Sequence, residues 1–411
     1  MRFAAAQDVD YARKVINDLC SEEMAGRGYV KNGARKAAEY IADEFSKNEL
    51  AHFGADYFQT YGFQAVSYPH RIELTIDDQE LVPGEDFILS AGCPTINGVF
   101  TLFFVDSSTI DNPTELKAFE KLPFYKTFLV VDAIRGKTFH NQEIADKILK
   151  NGYKAKGMVY SEQQKLTWSA SMDWESVATI YIQKGVLKRF QKTVHITVDS
   201  EINDYNMSNI IGYVKGTKYP DSFVVITAHY DHLGMMGAYA LFPGANDNAS
   251  GVAMMLDLMH KIKKQPLEYS VAFMAFSGEE IGLLGSLYYT EKPLFPLSDI
   301  SMLINLDLMG TGDKGMTVVN ATLFPDEFRE LQLINITNDY LPVVASRGKA
   351  ANSDHYYFTE KGVKAFFFYL MGDYKYYHDI HDGPEAITLS RYNQSFSLIY
   401  DFISGHTAGK Y

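Results

Sequence analysis

The chain has 411 residues, 46% apolar and 22% charged, which is ample for buried cores and too apolar for a disordered chain. Thirty-eight Lys and Arg stand against 51 Asp and Glu, a formal charge of −13, so a nucleic-acid backbone, which needs clustered cations, is a poor partner. The longest apolar runs, such as 223–228 and 365–371, are far short of the ~20 residues that a membrane-crossing helix requires.

At the start, Ala4-Ala5-Ala6 before Gln7 has the small-residue character of a signal-peptidase site. The apolar stretch that should precede it is missing. Read as the tail of a signal sequence, it gives the expectation of a secreted or periplasmic protein. Cys20 and Cys93 are the only cysteines, too few for a disulfide scaffold or a cysteine zinc site. One disulfide or two inert thiols both remain open.

Tyr11 to Leu19 reads as a helix, and Ala34, Ala37, Ala38, Ile41 and Phe45 recur at helical spacing behind Gly33. From Tyr68 the period becomes two. Residues 71–76 alternate, and Asp77-Asp78 supplies a turn signal. Further strands are expected at 99–105, 127–132, 157–160, 179–182 and 193–198, with a helix at 141–150. Residues 68–203 therefore read as a separate β-rich domain with few candidate catalytic groups.

From Asn209 strands and helices alternate. Apolar runs at 222–228, 270–276, 301–306 and 363–370, with a helical stretch at 250–264, argue for strands covered by helices on both faces. The expected fold is α/β, with a mixed, mostly parallel central sheet flanked by helices. The early helices belong to it, so 1–67 and 204–411 form one domain and 68–203 an insertion.

Acidic and imidazole groups gather at the ends of these elements. His229-Tyr230-Asp231-His232 follows the first run, and Gly244-Ala245-Asn246-Asp247-Asn248 precedes the 250–264 helix. Ser277-Gly278-Glu279-Glu280 follows the second run, Asp307 ends the third, and Tyr376-Tyr377-His378-Asp379 follows the last. In open α/β sheets ligands bind beyond the carboxyl ends of strands, so the clusters can converge. Each has an ordinary alternative. His229 and Asp231 could be a hydrogen-bonded pair, Glu279-Glu280 a solvated pair, Asp247-Asn248 a turn or cap, and His378 a surface histidine. Asp307 after an apolar strand is harder to explain without a partner. Their joint occurrence favours metal binding. Two histidines and three carboxylates suffice for two divalent cations if one carboxylate bridges, and zinc binds such nitrogen and oxygen donors at about 2.0–2.2 Å.

The pattern resembles the zinc-dependent exopeptidases of the bacterial leucyl aminopeptidase and glutamate carboxypeptidase group. The resemblance rests on Glu23-Met24-Ala25-Gly26-Arg27-Gly28, Asn209-Ile210-Ile211-Gly212, Ala228 to Gly234, Gly244 to Gly251, Phe276 to Gly282, Asn305-Leu306-Asp307, Ser353-Asp354-His355, and Tyr377-His378 with Asp382. It implies His229 and Asp307 as ligands of one zinc, Glu280 and His378 as ligands of the other, and Asp247 as the bridge. It implies Glu279 as general base, a metal-bridging water as nucleophile, Asp231 as the residue orienting His229, and a cis Asp247–Asn248 peptide. The middle segment weakly resembles a protease-associated domain, with 71–87 as its lead-in strands.

The expected activity is removal of N-terminal residues from peptides. A glutamate-type carboxypeptidase would need cations facing the substrate carboxylate, for which Arg347 and Lys349 are candidates. A one-metal glutaminyl cyclase is a further alternative, and a non-catalytic binding module on the same scaffold comes from another class. Ser353-Asp354-His355 invites a hydrolase-triad reading, but triad members come from separate parts of a fold, so a structural or cleft-wall role is expected. The preferred residue and the oligomeric state are not legible.

Overall fold

The computed structural model describes residues 9–162 and 164–409. The alanine run at 4–6, read as a signal-sequence remnant, lies outside them. The chain divides into two units. One comprises residues up to Phe63, Tyr205–Gly234 and Phe242–Tyr411; the other comprises Gln64–Asp204 and Met235–Leu241.

The first unit is built on an eight-stranded mixed sheet. Its order is Phe58–Ser67, Glu201–Val214, Tyr269–Phe276, Tyr219–His229, Ile300–Leu306, Ala365–Met371, Gly315–Val319 and Val344–Ser346. The four middle strands, Tyr269–Phe276 to Ala365–Met371, are mutually parallel; Glu201–Val214 and Gly315–Val319 join them antiparallel. This is the mixed, mostly parallel sheet expected. Its strands read as unbroken apolar runs because both faces are covered. Val224, Ile226 and Ala228 enter one core with Val271, Phe273 and Ala275, under the helices Val9–Leu19, Gly33–Lys47, Ser250–Lys264 and Tyr392–Thr407. Phe223 and Val225 enter the core on the other face with Ala272, Met274 and Phe276, beside Tyr289 and Phe358. Ile226 is fully buried, and truncating such a side chain to alanine costs roughly 2–5 kcal/mol.

Because the four middle strands run the same way, their carboxyl ends share one edge. His229 pairs with Phe276, Thr227 with Asn305 and Leu306 with Phe368. The residues that follow these strands therefore emerge side by side.

The second unit also has an eight-stranded sheet, ordered Gln79–Leu81, Ile72–Ile76, Thr193–Val198, Ile96–Phe104, Thr127–Val130, Gly157–Glu162, Ala178–Gln183 and Phe87–Leu89. Four of its strands, from Ile96–Phe104 to Ala178–Gln183, are parallel. Helices Ser107–Asp111, Pro113–Phe119 and Gln142–Leu149 make it α/β rather than β-rich alone. The first two were not legible because they are short and polar. Cys20 and Cys93 are both free and buried, and burial pushes each thiol up to about 12.

Candidate metal centre

Five side chains meet at the shared strand edge. His229 ends its strand and is 1% exposed. Its Nε2 lies 3.2 Å from Asp247 Oδ1 and 3.5 Å from Asp307 Oδ2. His378 Nε2 lies 3.2 Å from the other Asp247 oxygen and 3.0 Å from Glu280 Oε2. Asp247 thus turns one oxygen toward each histidine. His229 and Asp307 lie on one side of it, Glu280 and His378 on the other.

Asp247 reaches this position from the distorted turn Ala245–Ala249, which precedes the helix Ser250–Lys264. Gly244 begins the turn at φ 63°, where a Cβ would stand 2.2 Å from Asp247 O. The Asp247–Asn248 peptide is cis. Asp382 anchors the turn by accepting hydrogen bonds from Asn246 N at 2.7 Å and Asp247 N at 3.2 Å, while Tyr374 Oη donates to the same carboxylate at 2.5 Å.

Glu279 joins His229 and Asp307 within 4.8 Å but keeps partial exposure. Its backbone N–H donates to Asp231 Oδ1 at 3.2 Å. Asp231 is fully buried. Its own carbonyl is the nearer partner of His229 Nδ1, at 3.2 Å against 3.7 Å for the carboxylate. The backbone therefore shares the orienting role expected of the Asp231 side chain.

Charge crowding sets the electrostatics. Burial, reinforced by Glu280 and Asp307 and opposed by His229, holds the Glu279 carboxyl well above the usual carboxylate range. Burial disfavours a charged His378, but Glu280 and Asp247 outweigh it and carry its pKa to about 11. Burial alone would raise Glu280 and Asp247; His378 helps to draw Glu280 down to about 2, and His229 and His378 draw Asp247 well below its usual value. Asp247 and Glu280 are thus held down by the imidazoles that face them, while Glu279 and Asp307 are pushed up, chiefly by burial. Asp307 Oδ1 is buried with no hydrogen-bond partner, as expected of a donor arranged for an ion. Imidazole nitrogen and carboxylate oxygen suit a borderline-hard divalent cation.

Sequence reading passed over several supporting groups. His232 lies 2.6 Å by Nδ1 from Glu280 Oε1. Ser353 Oγ donates to Asp307 Oδ2 at 3.0 Å and accepts from Asn305 Nδ2 at 2.7 Å. Its hydroxyl thus serves Asp307, and the neighbouring His355 ring packs against Phe367, an arrangement unlike a hydrolase triad. Lys349 pairs with Glu360, and Arg347 meets the Tyr369 hydroxyl at 3.4 Å. A buried histidine three residues beyond His229, and an aspartate four beyond His378, were the available signals.

Residues 209–403, just under half of the chain, match the family model of Peptidase family M28. The matched segment holds His229, Asp247, Glu280, Asp307 and His378. The chain is also 34% identical over 209 residues to Aminopeptidase YwaD of Bacillus subtilis, which covers 46% of this chain and 43% of that protein. The match thus spans less than half of that relative's length. A zinc aminopeptidase structure from Bacillus subtilis aligns over 97% of this chain and 94% of its own, with TM-score 0.70 and 19% identity. A peptidase M28 precursor from Shewanella amazonensis aligns over 98% and 94%, with TM-score 0.69 and 16% identity. These alignments show the fold. The resemblance to zinc-dependent exopeptidases is borne out by these matches. Among the described residues, no helix is long and apolar enough to cross a membrane.

Proposed function

We propose that the M28 domain makes this chain a co-catalytic two-zinc aminopeptidase. The observation that carries the reading is the Asp247 carboxylate, with one oxygen facing His229 and the other His378. Asp307 and Glu280 complete a three-donor set on either side, and Glu279 stands beside them unclaimed by either histidine. Asp307 Oδ1, buried without a hydrogen-bond partner, supports a fit to a cation. Zinc is favoured by the donor types, imidazole nitrogen and carboxylate oxygen.

Two bound zinc ions would polarise the scissile carbonyl and raise the acidity of water between them. The remaining work falls to the chain. Glu279 Oε takes the proton from the attacking water and returns it to the leaving amine. Glu280, adjacent in sequence, is held by His232 and His378 and is a ligand in this reading. Asp231 and its carbonyl fix the His229 ring, so Nε2 faces the cluster.

Of the two cations a carboxypeptidase could use, Lys349 is paired with Glu360, while Arg347 meets the Tyr369 hydroxyl. The substrate in the reading proposed here is a peptide with a free amine. A protease-associated role for the inserted unit is part of the proposal, supported by its separation as a unit. A panel of aminoacyl chromogenic substrates, with and without an N-terminal block, tests the activity. Cleavage of free-amine substrates only is expected; equal cleavage of blocked ones rejects the aminopeptidase.

A further inference from the structure

Glu23 to Gly28 carries part of the family resemblance, yet the mechanism above uses none of it. Within this segment Arg27 is fully buried. Its five N–H groups all find backbone carbonyls. Nε donates to Tyr230 O at 2.8 Å, one terminal nitrogen to Leu19 O at 2.9 Å and Pro243 O at 2.7 Å, and the other to Gly244 O at 2.6 Å and Asp247 O at 3.4 Å. In return, Arg27 O accepts from His232 N at 3.2 Å. A buried charge is tolerated only when fully hydrogen-bonded, and a planar fork with five fixed donors is what this set of carbonyls requires.

Backbone strain points the same way. Ala25, Gly26 and Arg27 lie consecutively in the left-handed region, at φ 46°, 64° and 50°. Such runs persist where the surroundings hold them, and they concentrate at functional sites. Here a Cβ at Gly26 would come within 2.4 Å of Phe242 O and one at Gly28 within 2.5 Å of Gly234 Cα, so the backbones lie too close for side chains. This close approach aims Arg27 inward.

Four of the five carbonyls it gathers belong to the two segments that carry His229 and Asp247, and the fifth, Leu19 O, ties them to the helix Val9–Leu19. Tyr230 directly follows His229, and Gly244 and Asp247 define the turn that presents Asp247. Resting on the two-zinc reading above, we propose that Arg27 is a positioning residue of the metal centre. Its guanidinium sets the separation of the His229 and Asp247 segments, and so sets how tightly the cluster holds zinc.

The test uses the full chain and zinc alone, without peptide. Arg27→Met keeps the bulk and removes the fork; Arg27→Ala leaves a cavity that free guanidinium can enter. Zinc affinity is measured by chelator competition, the visible spectrum of the cobalt-loaded protein reports donor geometry, and aminoacyl hydrolysis gives kcat and KM. For Arg27→Met, zinc affinity should fall roughly 10–100-fold, the scale for outer partners of metal ligands, with an altered cobalt spectrum and reduced kcat at unchanged KM. Arg27→Lys should recover only part, since an ammonium cannot span the carbonyls. Added guanidinium should restore zinc affinity to Arg27→Ala. Wild-type affinity and spectrum in Arg27→Met overturn the proposal. So does an Arg27→Ala protein that fails to fold or gains nothing from guanidinium. If the wild type holds zinc but cleaves no free-amine substrate, the aminopeptidase reading fails while this inference stands.

Discussion

Both units carry an eight-stranded sheet with a parallel run, and both set acids just past the carboxyl ends of those strands. In the inserted unit these acids act locally. Asp106, after Ile96–Phe104, caps the next helix through Ser108 N at 3.0 Å and Thr109 N at 3.2 Å, and it pairs with Arg189. Asp132, after Thr127–Val130, accepts from Ser161 N at 2.5 Å. In the peptidase unit the corresponding acids turn toward one another, with only histidines between them. A strand-end acid is therefore a weak signal by itself. What separates the two units is whether each acid has a cap or an arginine of its own, or shares a buried space with other acids. Site chemistry is set there and not by the sheet.

The comparison is broken most severely by removing the residue the two halves share. Asp247→Ala should lose zinc and reduce peptide hydrolysis on the order of 10⁴-fold or more, the scale seen when one member of an interdependent set is deleted. Metal content by mass spectrometry together with kcat/KM checks this; full zinc content in the variant would show that Asp247 is no bridge. Glu279→Gln separates base from ligand. It should keep both metals and lose about 10²–10⁴-fold in kcat, and unchanged turnover would reject the assigned base. Asp382→Asn leaves the donors intact but weakens the anchor of the Asp247 turn. Zinc affinity should fall roughly 10–100-fold, read by chelator competition. The matching change in the inserted unit, Asp132→Asn, should alter neither zinc content nor kcat/KM. A drop in either would mean that its strand-end acids do more than serve their own loop.

The sheet of the peptidase unit was legible because its strands are buried on both faces. Val224 and Ile226 serve one core and Phe223 and Val225 the other, which leaves an unbroken apolar run in the sequence. The helices Leu284–Glu291 and Pro325–Asn338 were not seen, because their apolar residues do not gather on one narrow stripe. The strand Glu201–Val214 was also missed as a single element, since its first half is polar and its second half apolar. At the site, His229, Asp231, Asp247, Glu279, Glu280, Asp307 and His378 could be picked out because acids and imidazoles directly abut apolar runs. His232 carries that signal too but was given no role, and Arg27, Ser353 and Asp382 lack it. Their importance lies in partners more than forty residues distant, and sequence spacing carries no record of such contacts.

The smallest expected effect tests whether the acids of the inserted unit are structural in the sense argued. Ser108 Oγ–H and then Arg189, with the Thr109 amide, hold the Asp106 carboxyl down to about 2. An unfolded aspartate titrates near 3.9. Since the folded value is depressed, the carboxylate stabilises the fold above the unfolded pKa, and that contribution fades as pH falls toward about 2. Asp106→Asn should therefore lower the melting temperature slightly at neutral pH, and the gap from the wild type should close between about pH 4 and pH 2. Added salt should narrow it at neutral pH, because the Arg189 pair is solvent-facing. Hydrolysis at neutral pH should be unchanged. A gap that persists undiminished at the acid end would mean that Asp106 acts through shape and not through its charge. The contrast between local and shared acids would then lose its electrostatic basis.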